Sequence, residues 1–164
     1  MTYRTKTYIA GDWTGDKNAI EQLYKWKESN FWNLDFNDAH EITQSSDDSL
    51  NCSIKASLRQ RLNVSKTFVL VVGANTKSLR AGKCSYCPKN GECGNSTNKS
   101  YIEYECDKAV RDGLKIIVLY NAATADKTKC LDIVKIASTH VAMQRIVDGQ
   151  REWDYQAVKK ALEQ

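Results

Sequence analysis

No apolar run in this chain is long enough to cross a bilayer: the longest, Phe68 to Gly73, is the length of a strand. Met1-Thr2-Tyr3-Arg4-Thr5-Lys6 is followed by no apolar leader stretch, so the expectation is a cytoplasmic protein with no membrane partner. There is no basic stripe either. The formal net charge of +4 is spread among interleaved acids and bases, and nucleic acid is not expected as a partner. The phosphate-cradling spacing G-x-x-x-x-G-K-[ST] is missing, as is the dinucleotide spacing G-x-G-x-x-G. A phosphoacceptor would need an aspartate after the third apolar run, where the chain reads Val72-Gly73-Ala74-Asn75. Internal repeats and disordered linkers are also missing. The 164 residues, 41% hydrophobic and 27% charged, are expected to form one domain over 1–164 with a real core.

What is present is an alternation of short β-branched or aromatic runs with amphipathic stretches, the order of an α/β protein. Strands are expected at Thr7 to Ala10, weakly at Leu34 to Phe36, at Thr67 to Val72, at Lys115 to Tyr120, and marginally at His140 to Met143. The near-continuous apolar runs 67–72 and 115–120 read as central parallel strands covered on both faces. Helices are expected from about Asn18, with Ile20, Leu23, Trp26 and Lys27 on one face, and from about Ser49, with Leu50, Ile54, Leu58 and Leu62 inward and Lys55, Arg59 and Arg61 outward. A third starts near Ser100, with Ile102, Cys106, Ala109, Val110 and Gly113 toward the sheet and Tyr101, Glu105, Lys108 and Asp112 as a flanking stripe. A short helical patch is expected at Cys130 to Ala137, and a closing helix from Asp154 with Tyr155, Val158 and Leu162 inward. The pattern predicts a flavodoxin-like doubly wound sheet of five parallel strands with helices on both faces. In that fold ligands sit outside the carboxyl ends of the strands.

That rule selects Gly11, Asp12 and Trp13 after the first strand, and Asn37, Asp38, Ala39 and His40 after the second. It also selects Gly73, Ala74, Asn75 and Thr76 after the third, and Asn121 after the fourth. Each has a plainer reading. Trp13 either stacks on a flat ring or packs on the next helix. Asp16 reads as a helix cap, Asp38 and His40 as a polar turn, and Asn75 as turn chemistry after Gly73. Glu105 marks the edge of a buried helix face, its plainer role being a solvated ion pair with Lys108.

Cys84, Cys87 and Cys93 have the spacing of a metal knuckle, two thiolates two residues apart and a third after five more, with Pro88 and Gly91 suited to the turn. Structural zinc and free thiols are both readings of this segment. A fourth ligand would come from Cys52, Cys106, Cys130, His40 or His140, although Cys52 and Cys106 fall on helix faces where cysteine commonly acts as a small hydrophobe.

Four segments together resemble the bacterial Toll/interleukin-1 receptor (TIR)-like domains, in particular the group that includes the Thoeris antiphage sensors. They are Tyr8-Ile9-Ala10-Gly11-Asp12; Asn37-Asp38-Ala39-His40; Ser57 to Leu62 leading into Ser65 to Gly73; and Tyr101-Ile102-Glu103-Tyr104-Glu105 followed by Lys115 to Val118. The family's helical aromatic and its glutamate four positions on map to Tyr101 and Glu105. The aromatic is usually tryptophan in TIR enzymes, and here a Cys-rich insertion at about 80–98 precedes the helix. The resemblance implies cleavage of NAD between nicotinamide and ribose, with Glu105 stabilising the developing sugar cation and ADP-ribose or a cyclic ADP-ribose isomer as product. NAD would be held by Asp12, Trp13, Asn37, His40, Asn75 and Tyr101. The same fold also serves non-catalytic adaptors that act by self-association or through protein partners. An enzyme with no fused effector would instead signal to a downstream effector protein through its nucleotide product.

Overall fold

Residues two apart on a strand share a face, and in this protein both faces are covered. The structure of the chain, a computed structural model, describes residues 3–39, 58–78 and 101–163. Strands β1 (Lys6–Ala10), β2 (Ser65–Val72), β3 (Lys115–Tyr120) and β4 (Thr139–Ala142) form a four-stranded sheet in that order. Every neighbouring pair is parallel. The helices are α1 (Lys17–Glu28), α2, described over 58–63, α3 (Tyr101–Arg111) and α4 (Tyr155–Glu163).

Strand periodicity sorts the core into two layers. Tyr8, Ala10, Phe68, Leu70, Val72, Val118 and Tyr120 pack with Leu62 of α2 and with Ile102, Cys106 and Ala109 of α3. Ile9, Val69, Val71, Ile117 and Leu119 pack on the opposite side with Ala19, Ile20, Leu23 and Trp26 of α1 and Tyr155, Val158 and Ala161 of α4. The architecture is therefore α/β, a parallel sheet between helices, as expected from the two uninterrupted apolar runs. Burial of each large aliphatic side chain contributes about 1.5–3 kcal/mol, so β2 and β3, apolar on both sides, dominate the core.

Several expectations need correction. Leu34 and Phe36 are buried, yet 34–36 is not a strand. The Lys27 ammonium takes the Phe36 carbonyl at 2.6 Å and lies over its ring. Among the described residues the ladder contact of this stretch is a parallel bridge of Asp38 to Thr7, whose N–H donates to the Asn37 carbonyl at 2.6 Å. A side chain satisfies backbone that a fifth strand would have paired. The helical patch expected at 130–137 is one short 3-10 turn, Asp132–Val134, with another, Lys127–Lys129, just before it. Leu50, Ile54 and Lys55 lie outside the described residues, as does the start of α2. Arg61, expected to point outward from α2, is 2% exposed. Gly113 follows α3 rather than lying on its face. It has φ of +70°, its N–H bonded to Val110 O at 3.1 Å while Leu114 N–H reaches Ala109 O at 3.0 Å, an end that glycine enters without steric cost.

One element went unforeseen. β5 (Gln144–Val147) and β6 (Gln150–Trp153) form an antiparallel hairpin. Its two turn residues, Asp148 and Gly149, have φ of 52° and 78°, the left-handed pair that matches strand twist. An isolated hairpin is marginal in water. This one is fastened at its base, where Met143 N–H donates to Tyr120 O at 2.9 Å and Asp154 N–H to Met143 O at 2.8 Å.

Gly113 offers a clean test of the helix end, since a methyl group there would meet nothing within 4 Å. Gly113→Ala is expected to cost about 1–2 kcal/mol through backbone conformation alone, read as a lower urea midpoint with an unchanged denaturant slope.

Candidate functional site

Glu105 lies one turn into α3, on the side of the helix next to the residues that meet the sheet. The residue is 6% exposed. Its neighbours come from two other elements. Tyr8, at the middle of β1, and Arg61 of α2 are also buried, and both bear on the Glu105 carboxyl by favouring its ionised form. Burial drives the Glu105 pKa up to about 8, against the Tyr8 hydrogen bond and the Arg61 charge, both of which favour the ionised form. The same surroundings push the Tyr8 hydroxyl well above its usual range, burial first and the Glu105 charge second.

The plainer reading of Glu105 fails. Lys108 does not pair with it; its ammonium sits 2.7 Å from Asp112 Oδ2, a bond that holds the Asp112 carboxyl below the usual carboxylate range. Arg4 completes a clamp at the base of α3. One guanidinium nitrogen reaches Asp112 at 3.6 Å and another reaches Leu62 O and Ser65 O at 3.5 and 3.4 Å. The ends of α2 and α3 are thereby tied together.

The other expected residues are dispersed. Tyr101 stands half-buried one turn before Glu105 at the start of α3, its hydroxyl pKa raised by burial. Asp12 and Trp13 lie beyond the carboxyl end of β1. Asp12 Oδ1 accepts the Thr14 N–H at 3.0 Å, and Trp13, 47% exposed, packs its ring 6.0 Å from that of Tyr24 on α1. Asn75 is exposed in the turn after β2, its carbonyl accepting both the N–H and the hydroxyl of Ser78. Asn37 lies at the wrong end for the expected site. Its side-chain oxygen accepts from Lys6 Nζ at 2.8 Å, and it borders a cleft of about 360 Å³ with Thr5, Thr7, Lys66 and Thr67 at the amino ends of β1 and β2. Glu105 does not line that cleft. His40, Cys84, Cys87 and Cys93 fall outside the described residues, as does Cys52. Cys106 and Cys130 are buried free thiols, and the His140 ring nitrogen Nδ1 pairs with the Tyr120 hydroxyl at 2.8 Å. Among the described residues no group of three or more potential ligands is placed to hold a metal.

A polar cluster that the sequence left unconnected closes the carboxyl edge. Asp16 occupies the cap position of α1, but the helix uses its backbone carbonyl, which accepts the N–H groups of Ala19 and Ile20 at 3.1 Å. Its side chain turns away and accepts from Asn121 Nδ2 at 3.0 Å. Asn121 also donates to Asn18 Oδ1 and accepts from Gln144 Nε2. Burial raises the Asp16 pKa while the Asn121 bond opposes it. Gly73 is required beside this carboxyl, since a Cβ there would lie 1.9 Å from Asp16 Oδ1.

Arg61 and Tyr8 are the residues that sequence reasoning missed. Arg61 carried no usable signal, since helix periodicity sets it off the face of the inward Leu62.

No curated protein matches this chain. Residues 8–82 match the family model of the TIR-like domain of the Thoeris protein ThsB, a stretch that holds both Tyr8 and Arg61. The match, on a parallel α/β sheet flanked by helices, supports a TIR-like domain of the Thoeris group, a placement that points to a role in defence or signalling.

Proposed function

We propose that this TIR-like domain cleaves NAD at the bond between nicotinamide and ribose, releasing nicotinamide and giving ADP-ribose or a cyclic ADP-ribose isomer. The observation that carries the reading is the Glu105 carboxyl, buried at the third helix and raised by that burial to a pKa of about 8. Nicotinamide leaves as a neutral molecule from a cationic ring, so the barrier lies in the oxocarbenium character of the ribose. A carboxylate fixed in a dry site stabilises that charge more than water does. No separate strong acid is needed. Water attacking the sugar gives the open product, and the adenine end of the same molecule gives the cyclic one. Tyr101 would flank the substrate; Asp12, Trp13, Asn75 and His40 are weaker candidates for holding it, and Asn37 weaker still from the far end of the sheet. Self-association and a downstream effector responding to the product belong to the same proposal. Structural zinc at Cys84, Cys87 and Cys93 is a separate one. Elemental analysis of protein purified without a metal-affinity step should find the metal, and metal-free protein with six titratable thiols would remove it.

Glu105→Gln keeps size and removes charge, so nicotinamide release should fall at least about a hundredfold with folding intact. Glu103→Gln, two residues away and off the Glu105 face, should keep near wild-type activity. Equal release by Glu105→Gln and wild type, across protein concentrations, would leave the adaptor reading in place.

The ionised carboxylate is the active form, so activity should rise with pH and level off above about 8, the pKa of Glu105 in the folded protein. Stability runs the other way. A folded-state pKa raised above the ordinary 4.5 means the native protein holds a proton that the unfolded chain has lost. The associated stability is complete below 4.5 and is lost as pH rises through about 8. Glu105→Gln should therefore gain on wild type between those limits, by a few kcal/mol at the upper one, read as diverging urea midpoints.

A further inference from the structure

We infer that the cleft at the amino ends of β1 and β2 is a binding site for a small zwitterion of the α-amino acid class. The cleft, of about 360 Å³, is not lined by Glu105, so the inference stands apart from the NAD reading. Two buried side chains carry it. Thr7 of β1 and Thr67 of β2 are register partners, are 7% and 9% exposed, and both line the cleft. Neither hydroxyl has a hydrogen-bond partner among the described residues. Polar groups this enclosed are ordinarily bonded, and the cleft gives a ligand oxygen access to both.

The charged groups around these hydroxyls decide the ligand class. Lys6 pairs with Ser65 and Thr7 with Thr67, so Lys66 is an extra residue in β2 and makes a bulge. Just before it, the N–H groups of Thr5 and Lys6 converge on Val64 O at 2.9 and 3.0 Å. A bulge re-aims a side chain. Lys66 is exposed, lines the cleft and enters no ion pair among the described residues. One ammonium with two hydroxyls is a donor set for a carboxylate. The lining also holds acids. Asp35 and Glu163 are exposed and likewise without an ion pair among the described residues. Glu163 ends α4, where the last carbonyls of the helix favour a cation. A simple anion would meet the two carboxylates, and a simple cation would meet Lys66. A molecule carrying both charges satisfies each. Phe36 and Leu162 add apolar lining, which suits an aliphatic side chain on the ligand. The volume is at the small end of ligand pockets, the size for an amino acid and not for a dinucleotide.

The test is an amide NMR titration of the full chain with L-leucine. Isocaproate, which lacks the ammonium, and isopentylamine, which lacks the carboxylate, are the comparators, with inorganic phosphate as the anion control. Saturable shifts are expected at the amides of Thr7, Lys66 and Thr67, with a Kd of about 1 mM or tighter. Isocaproate and isopentylamine should each bind at least about tenfold more weakly, the scale of one lost charged contact. Thr7→Val with Thr67→Val keeps shape and removes both hydroxyls, and Lys66→Ala removes the ammonium; each should weaken L-leucine about tenfold. If L-leucine gives no shift, alanine, valine, isoleucine and methionine are titrated in turn, and no saturable shift with any of them up to about 10 mM overturns the inference. Either comparator binding as tightly as the amino acid overturns it. So does phosphate binding more tightly, or binding that the variants leave unchanged. If the double threonine variant does not fold, Lys66→Ala, at an exposed position, decides alone. Nicotinamide release plays no part in the readout, so failure of the NAD reading leaves this result standing, and failure here leaves that reading standing.

Discussion

A carboxyl group removed from water must be neutralised, hydrogen-bonded or paired, and Glu105 meets that constraint by holding its proton up to about pH 8, with Tyr8 and Arg61 favouring the ionised form. Much of the first core layer serves it. The aromatic stack of Tyr8 on Phe68 holds the phenol on the sheet, and Ile102, Cys106 and Ala109 seat α3 so that the neighbouring position, Glu105, turns toward β1 and α2. The Lys108–Asp112–Arg4 clamp at the lower end of α3 keeps α2 and α3 in register from outside the site. Each contact is of ordinary strength. What they fix is the seating of α3 against the sheet and beside α2.

The sheet was legible because its strands announce themselves in both faces at once. Phe68 to Val72 and Ile116 to Tyr120 have no polar residue to spend on solvent, and the structure covers both sides of each. Leu34 and Phe36 show where pattern misleads: their alternation with Asp35 is genuine and both are buried, but periodicity reports only where side chains go. Whether the backbone joins a ladder was decided by the Lys27 ammonium on Phe36 O, a contact between residues nine apart that no local pattern contains. The hairpin of β5 and β6 was missed for the opposite reason. Asp148-Gly149 between Ile146-Val147 and Arg151-Glu152-Trp153 is a turn signal with a mechanism, set beside strands too short and too polar to be noticed.

At the site the legible and illegible parts divide along a different line. Glu105 could be found because an acid at the margin of an apolar helix face is an anomaly in one element. Arg61 could not be read as its counter-charge, because a basic residue near the end of an amphipathic helix is the commonest arrangement there is, favourable to the helix dipole and ordinarily solvated. Only the approach of α2 to α3 over β1 turns it inward. Asp16 shows the same limit. Its position before α1 correctly marks the helix start, yet its carboxyl is used by Asn121, more than a hundred residues away, so a local cap and a long-range tie are indistinguishable until the chain is folded. Asn37 was placed at a carboxyl end because a strand was expected at 34–36; without that strand it belongs to the amino-end cleft beside Lys66.

The charge balance at Glu105 bears on the choice between enzyme and adaptor. A surface used for contact between domains gains nothing from an acid held protonated inside the protein, and apolar residues of similar volume in place of a buried carboxyl and guanidinium are often neutral or stabilising. A buried carboxyl is of use where a carboxylate is needed at the moment positive charge develops beside it, because a group whose pKa lies near working pH ionises readily when a cation arrives. A nicotinamide-bearing substrate is such a cation, and its approach would add to Arg61 and Tyr8 in favouring the ionised form. A reduced, uncharged nicotinamide would lack that effect. On this reading burial makes the site responsive to the charge of its ligand, and the stability given up as pH rises toward about 8 is the cost of a carboxylate kept ready to form.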